Sequence, residues 1–192
     1  MKKLNLIITA VCTVLAIQAC KNNAKSGATD STTTTTDVTK TDSTSSIAQA
    51  DTGDAAFAAK AATGGMTEIA LSKVAAQQAT TQKIKDFANM MITDHSAAGD
   101  KLAAIAKAKG MALPTSLDSA TQNMVNDMAK KTGTDFDNAY VDKMVNDHQA
   151  TLDMFKKEET MVKDTALKGF ITNTIPVVQH HLDAIKKIKS GM

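Results

Sequence analysis

The chain is poor in cysteine, proline and aromatic residues, and it contains no arginine or tryptophan. Its 192 residues include two cysteines, two prolines, one tyrosine and five phenylalanines. So little cysteine excludes a disulfide framework, and any domain must be stabilised by packing. Every basic residue is a lysine, and the formal net charge is only +2. Without a basic excess or an aromatic-plus-basic pattern, we do not expect nucleic acid as a partner.

The first 19 residues read as a secretory signal. Lys2 and Lys3 form a basic start, and the apolar run that follows, Leu4–Ile17, is too short for a permanent membrane span. The run ends in Leu-Ala-Ile-Gln-Ala-Cys, which resembles a bacterial lipoprotein signal, although the Gln replaces the usual small residue. The resemblance implies cleavage before Cys20 and acylation of Cys20, for example with palmitate. The alternative is ordinary secretion with a free Cys20 thiol.

Residues 20–53 predict a tether rather than a folded unit. The segment is dominated by Thr, Ser, Ala and Asp, including the unbroken run Thr32–Thr36. It has too few large apolar side chains to offset the entropy of folding. We expect a solvated tether beneath a lipid anchor, which places the protein in the cell envelope. The segment after Cys20, Lys21-Asn22-Asn23, lacks the acidic run that marks surface export, so we expect the lipid-anchored protein at the outer membrane or on the periplasmic side.

Residues 54–192 predict one all-α domain. Ala, Met and Lys are abundant, and apolar residues recur at three- and four-residue steps. The pattern predicts helices over 54–79, 81–109, 119–131, 134–163 and 164–189. Asp54 is the expected N-cap, Gly110 and Gly133 are expected to end helices, and Pro176 is expected to kink the last one. Four long helices and one short helix between the second and third predict an antiparallel four-helix bundle.

Each predicted long helix carries one ionisable residue on its apolar stripe. The stripe of the first helix is Phe57, Ala61, Gly64, Glu68, Leu71 and Ala75. The corresponding ionisable residues of the other three are His95, His148 and His181. Counting residues from the turns, with a rise of about 1.5 Å per residue, places all four within roughly 8 Å of one level. Four polar side chains at one level is how helix bundles build metal sites.

A near-repeat supports this interpretation. The segment Phe87–Ala97 and the segment Tyr140–Ala150 both read aromatic, then Met four residues later, then Asp-His, then Ala. Imidazoles suit copper, zinc or iron, and thioethers suit Cu(I), so copper is the first expectation. The predicted ligands are Glu68, Met91, His95, Met144, His148 and His181. Asp94 and Asp147 are predicted to orient the histidines, or else to bond a neighbouring helix or solvent.

The alternative is that these histidines and Glu68 form a purely structural cluster. Buried histidines and acids often bond one another and set helix register without a metal. A row of methionines is usually core filling. His180, next to His181, is expected to be exposed.

Several short motifs resemble one bacterial family, the domain of unknown function 4142, whose members are described as outer-membrane or periplasmic proteins. The motifs are Asp54-Ala-Ala-Phe57, Gly65-Met66-Thr-Glu68, Phe87-x-x-x-Met91-x-x-Asp94-His95, Phe136-Asp137-x-x-Tyr140, Asp147-His148 and His181. The resemblance implies a ferritin-like four-helix bundle and no established activity. A more distant likeness is to periplasmic copper-handling bundles, although those are denser in His and Met. Only three Glu and no Glu-x-x-His are present, which argues against di-iron chemistry.

These observations favour a non-enzymatic envelope lipoprotein with a binding or stress-related role. The alternative is a periplasmic copper-binding protein that uses the His and Met pairs. No nucleophile motif, phosphate loop or zinc-protease signature is found, so an enzyme is the weakest of the three readings.

Overall fold

The computed structural model describes residues 51–192. The predicted signal peptide, the predicted lipidation site at Cys20 and most of the predicted tether lie outside these residues. Within residues 51–192 the chain is all-helical and forms no strand. The five helices are α1 Thr52–Gln78, α2 Gln82–Lys109, α3 Ser119–Ala129, α4 Gly133–Met161 and α5 Thr165–Lys189. None of these helices is long and apolar enough to cross a membrane.

The start of α1 differs from the prediction. Asp51, not Asp54, is the N-cap, and its side chain accepts a hydrogen bond from the Gly53 amide. Asp54 lies inside the helix, is buried, and accepts from the backbone amides of Lys163 (3.1 Å) and Asp164 (2.7 Å). Its carboxylate therefore satisfies the amides that link α4 to α5, a long-range role that no local pattern shows.

Two glycines with a positive φ lie at helix boundaries. Gly110 has a φ of 66° and ends α2 as predicted. Gly133 has a φ of 60°, but it is the first residue of α4 rather than the end of α3, which stops at Ala129. The predicted end of α3 at residue 131 was therefore two residues too late. Pro176 stays within α5.

Short links pair the helices. α1 packs against α2 and α4 against α5, while α2 also contacts α5, and α1 contacts α3 and α4. A carboxylate links α4 to the turn between α1 and α2. Asp137 of α4 accepts hydrogen bonds from the backbone amide of Thr80, at 3.0 Å, and from the Thr80 hydroxyl. Together these contacts form a helical bundle.

The core divides into two main apolar clusters. One lies around Leu71, Phe87, Phe136 and Tyr140, and the other around Phe57 and further residues of α2, α4 and α5. One predicted core position is wrong: Gly64 is exposed, because within residues 51–192 no atom packs within 4 Å of the place that its Cβ would take. Between the two clusters lie the buried side chains of Glu68, His148 and His181.

Candidate metal centre

Each long helix contributes one ionisable side chain to the seam between the two clusters. Glu68 comes from α1, His95 from α2, His148 from α4 and His181 from α5. Glu68, His148 and His181 are buried, and His95 keeps 13 % of its side-chain surface exposed. The 3.6-residue periodicity of each helix turns these positions inward together with the apolar stripe.

The three imidazole rings lie against one another. Their centroids are 5.4 Å apart for His95 and His181, 5.5 Å for His148 and His181, and 5.8 Å for His95 and His148. One ring nitrogen from each residue lies within 4.8 Å of the corresponding nitrogen of the other two. Phe87 packs edge-on against His148 and His181, with 6.4 Å between ring centroids in both pairs. This aromatic support restricts the rotation of both rings.

The outer nitrogen of two of the three rings has a hydrogen-bond partner. His148 Nδ1 lies 2.8 Å from the Met144 carbonyl oxygen, and His181 Nε2 lies 2.9 Å from Asp94 Oδ2. Since a carbonyl or carboxylate oxygen can only accept, both of these ring nitrogens carry a proton. The remaining nitrogen of each ring, Nε2 of His148 and Nδ1 of His181, then presents a lone pair in the neutral ring.

Glu68 holds the third ring. Its Oε2 lies 3.2 Å from His95 Nδ1, and its Oε1 lies 3.5 Å from His148 Nδ1. One carboxyl group therefore spans the outer sides of two imidazoles. The sequence placed Glu68 at this level, and the structure shows that its oxygens meet the Nδ1 side of both rings.

The inner nitrogens have no partner. Within residues 51–192, His95 Nε2, His148 Nε2 and His181 Nδ1 are buried side-chain nitrogens without a hydrogen bond. Buried polar atoms in folded proteins nearly always form hydrogen bonds, and a buried donor or acceptor without one costs about 1–3 kcal/mol. Three such atoms lie on three neighbouring rings, which makes this cluster the candidate site.

Burial keeps the cluster uncharged near neutral pH. It lowers the pKa of His95 to about 3 and of His148 to about 4, and the neighbouring imidazoles lower the pKa of His95 further. Burial also lowers the pKa of His181, against the raising effect of Asp94. Burial, assisted by the negative charge of Asp147, raises the pKa of Glu68 to about 8. Neutral imidazole is the form that binds metal.

Comparison with known proteins identifies the family of the chain. Residues 39–188 match the model of a family described as a domain of unknown function, DUF4142. The chain belongs to the DUF4142 family. No match was found among the curated proteins, and none among the solved structures. The resemblance seen in the sequence motifs is therefore confirmed, and the family itself carries no assigned activity.

The other predicted site residues of this DUF4142 domain do not all contact the histidines in the way that the sequence suggested. Met91 and Met144 are fully buried, and the atom that Met144 gives to a histidine is its backbone carbonyl oxygen. Asp94 bonds His181 on another helix rather than its neighbour His95. Asp147 pairs with Lys143 at 2.7 Å. Asp94 and Asp147, equivalent in the sequence repeat, therefore make different contacts.

Two parts of the centre were missed by the sequence analysis. The Met144 carbonyl holds His148 one helical turn away, and a backbone atom has no sequence signal. Lys143 places a cation beside the cluster, where it opposes the rise in the pKa of Glu68. Its spacing of four residues from Asp147 is a recognisable ion-pair pattern and could have been noted. His180 is exposed, in contrast to His181.

Proposed function

We propose that this DUF4142 protein binds one transition-metal ion through His95, His148 and His181. The observation that supports this function is the set of three buried, unpartnered ring nitrogens. They belong to three rings whose candidate ligand atoms all lie within 4.8 Å of one another. Three imidazoles with an open fourth position are a recurring metal-binding set.

A purely structural cluster explains the contacts less well. Buried polar groups that only set helix register satisfy one another with hydrogen bonds. Here the outer nitrogens of His181 and His148 are hydrogen-bonded to Asp94 and to a carbonyl oxygen, and the outer nitrogen of His95 lies 3.2 Å from Glu68. The inner nitrogens have no partner within residues 51–192. That division resembles a metal site, in which the outer nitrogen of a ligating histidine bonds a carboxylate or carbonyl.

The spacing of the three ring nitrogens fits a metal ion if the rings move slightly closer together. If all three separations equalled the 4.8 Å limit, their centre would lie about 2.8 Å from each nitrogen. Zinc–imidazole bonds are about 2.0–2.1 Å long, so each nitrogen would move inward by at most about 0.7 Å. Small side-chain rotations provide a movement of this size.

Copper and zinc are the proposed ions, with copper bound more tightly. Imidazole suits both, and Cu(II) precedes Zn(II) in the general affinity order of divalent metals. In this proposal Glu68 and Asp94 orient histidines, and the ion is held by nitrogen rather than carboxylate. A contribution from the Met91 or Met144 thioether would add a preference for Cu(I).

The wider setting is also part of the proposal. We propose an antiparallel, ferritin-like four-helix bundle, in which α3 is an added connector, acting as a non-enzymatic binding protein of the cell envelope. The pairing of α1 with α2 and of α4 with α5 supports this topology. The Leu-Ala-Ile-Gln-Ala-Cys segment supports a lipid anchor at Cys20.

Metal retention tests the function. The chain is prepared with Cys20→Ser, so that neither an acyl group nor this thiol interferes, and is titrated with Cu(I), Cu(II), Zn(II) and Fe(II). We expect one copper or zinc ion per chain after desalting, and loss of that ion in His148→Ala and in His181→Ala. His180→Ala is the matched control, because His180 is an exposed histidine next to a ligand. It should retain the ion.

A chain that keeps its helical circular dichroism and retains no metal would contradict the proposal and make the cluster structural. Equal loss in His180→Ala and His181→Ala would also contradict it, because adventitious surface binding would then explain the uptake.

A further inference from the structure

An open pocket of about 870 Å³ borders one side of the histidine cluster. His95, His181 and Glu68 form part of its wall, and His148 does not. The pocket is lined by residues of all four long helices, including the continuous run 60–69 of α1. Its volume lies in the range of about 300–1,000 Å³ that is usual for small-molecule sites.

The rest of the wall is mainly apolar. The large apolar side chains in it include Leu102, Leu113, Met154, Phe155, Phe170 and Val178. Three threonines of the wall, Thr63, Thr67 and Thr174, donate their hydroxyl hydrogens to backbone carbonyls four residues earlier. Those hydroxyls are thus not free to donate to a ligand.

Charged groups are confined to the mouth and the cluster. Lys60 and Asp100 are exposed, and Lys143 and Asp147 pair with each other at 2.7 Å. The pocket thus combines a mainly apolar wall with a few polar groups, and the histidine cluster is the group among them that could hold an ion. Sites of this composition bind ligands whose apolar part supplies affinity and whose few polar atoms set orientation.

We propose that the pocket binds a small, largely apolar molecule whose single nitrogen or sulfur donor occupies the fourth position of an ion held by His95, His148 and His181. The proposal rests on the metal-binding function above. Three protein ligands leave one position of a tetrahedral ion open, and such open positions take water or an exogenous ligand. Two of the three histidines line the pocket, so a molecule inside it lies beside the cluster. The free ring nitrogens themselves are buried, so in this proposal one of these rings turns toward the pocket to open that position.

Two probes separate the apolar body from the donor. The Cys20→Ser chain is loaded with Co(II), whose visible spectrum reports its coordination, and is titrated with imidazole and with 4-phenylimidazole. Both offer the same donor, but only 4-phenylimidazole adds a phenyl ring that the pocket can bury. We expect 4-phenylimidazole to bind about tenfold more tightly or better, because its ring is removed from water. Equal affinities would overturn the proposal.

Glycines of the wall provide a way to fill the pocket without disturbing the core. Gly64 and Gly99 both line it, and a Cβ atom at either position would meet nothing within 4 Å. We expect the Gly64→Leu, Gly99→Leu double variant to bind Co(II) normally and to lose most of the preference for 4-phenylimidazole. Gly169→Leu is the matched control, because Gly169 is also a helical glycine with open space and lies outside the pocket. A preference that persists unchanged in the double variant would overturn the proposal.

Failure of the proposed metal-binding function can be distinguished from failure of the pocket proposal. A chain that takes up no Co(II) overturns the proposed function, and with it the donor part of this proposal. The apolar part is then judged in the metal-free chain, by whether toluene shifts the methyl resonances of Leu102 and Val178. Toluene binding that is lost in the double variant supports the pocket. Absence of binding overturns this part as well.

Discussion

The stability of the metal-free bundle should depend on pH in a way that its buried cluster determines. Burial lowers the pKa of His95 to about 3 and of His148 to about 4, and lowers that of His181. In the unfolded chain each histidine returns to about 6.5. Below that pH the unfolded chain binds protons that the folded chain refuses, so the free energy of unfolding falls as the pH decreases.

Glu68 acts with the opposite sign. Its pKa is about 8 in the folded chain, raised first by burial, against the model value of 4.5. Between these values the folded carboxyl holds a proton that the unfolded one has lost. The stability that Glu68 contributes is therefore fully present below about pH 4.5 and is lost as the pH rises through 8.

The two effects together predict a maximum near pH 6.5. Between pH 6.5 and 5, His95 and His148 together remove roughly 3 kcal/mol and Glu68 returns roughly 2 kcal/mol. The net loss is roughly 1 kcal/mol, and the lowered pKa of His181 adds to it in the same direction. For a domain of this size a loss of roughly 1 kcal/mol lowers the melting temperature by roughly 3–5 °C. Between pH 6.5 and 8 Glu68 dominates, and roughly 1 kcal/mol is lost.

Calorimetric melting between pH 5 and 8, in the presence of a chelator, measures this profile. His180→Gln should reproduce the profile, because His180 is exposed. His148→Gln should flatten its acidic side. A melting temperature that does not change between pH 5 and 8 would refute the buried, uncharged cluster.

Three further outcomes are expected. Asp94→Asn should weaken metal binding about 10- to 100-fold by isothermal titration, because His181 loses its carboxylate partner; unchanged affinity would remove Asp94 from the centre. Asp54→Ala should lower the free energy of unfolding in urea by about 1–3 kcal/mol, because the Lys163 and Asp164 amides lose their acceptor; no change would mean that water replaces it. Gly169→Ala should raise that free energy by up to about 1 kcal/mol, since alanine favours helix and its Cβ meets open space; a loss would indicate an unseen contact.

The sequence predicted the helices well where periodic apolar residues and clear stop signals coincide. Gly110 ends α2 as expected, because its left-handed φ is available at little cost only to glycine. The level of the polar residues could also be predicted, because the rise of an α-helix is regular and short links keep the helices in register. The meeting of Glu68 with His95 and His148 follows from that regularity.

The bonds within the centre could not be predicted, because they depend on helix rotation and side-chain rotamers. A rotation of a few tens of degrees decides whether Asp94 reaches His181 or solvent, and the sequence left both possibilities open. The sequence also put Gly64 in the core, because a periodic pattern does not show that no neighbouring side chain packs over that position. Asp54 was read as a helix cap because its partners are more than one hundred residues away in the chain.

X-ray absorption at the edge of the bound metal tests the central claim most directly. For the chain loaded with one equivalent of Zn(II), the account predicts three imidazole nitrogens at about 2.0–2.1 Å and one further ligand. In His181→Ala the imidazole count should fall, and in His180→Ala it should stay at three. A shell of oxygen atoms without imidazole scattering, or a spectrum that the His181→Ala change leaves untouched, would contradict a metal centre built from His95, His148 and His181.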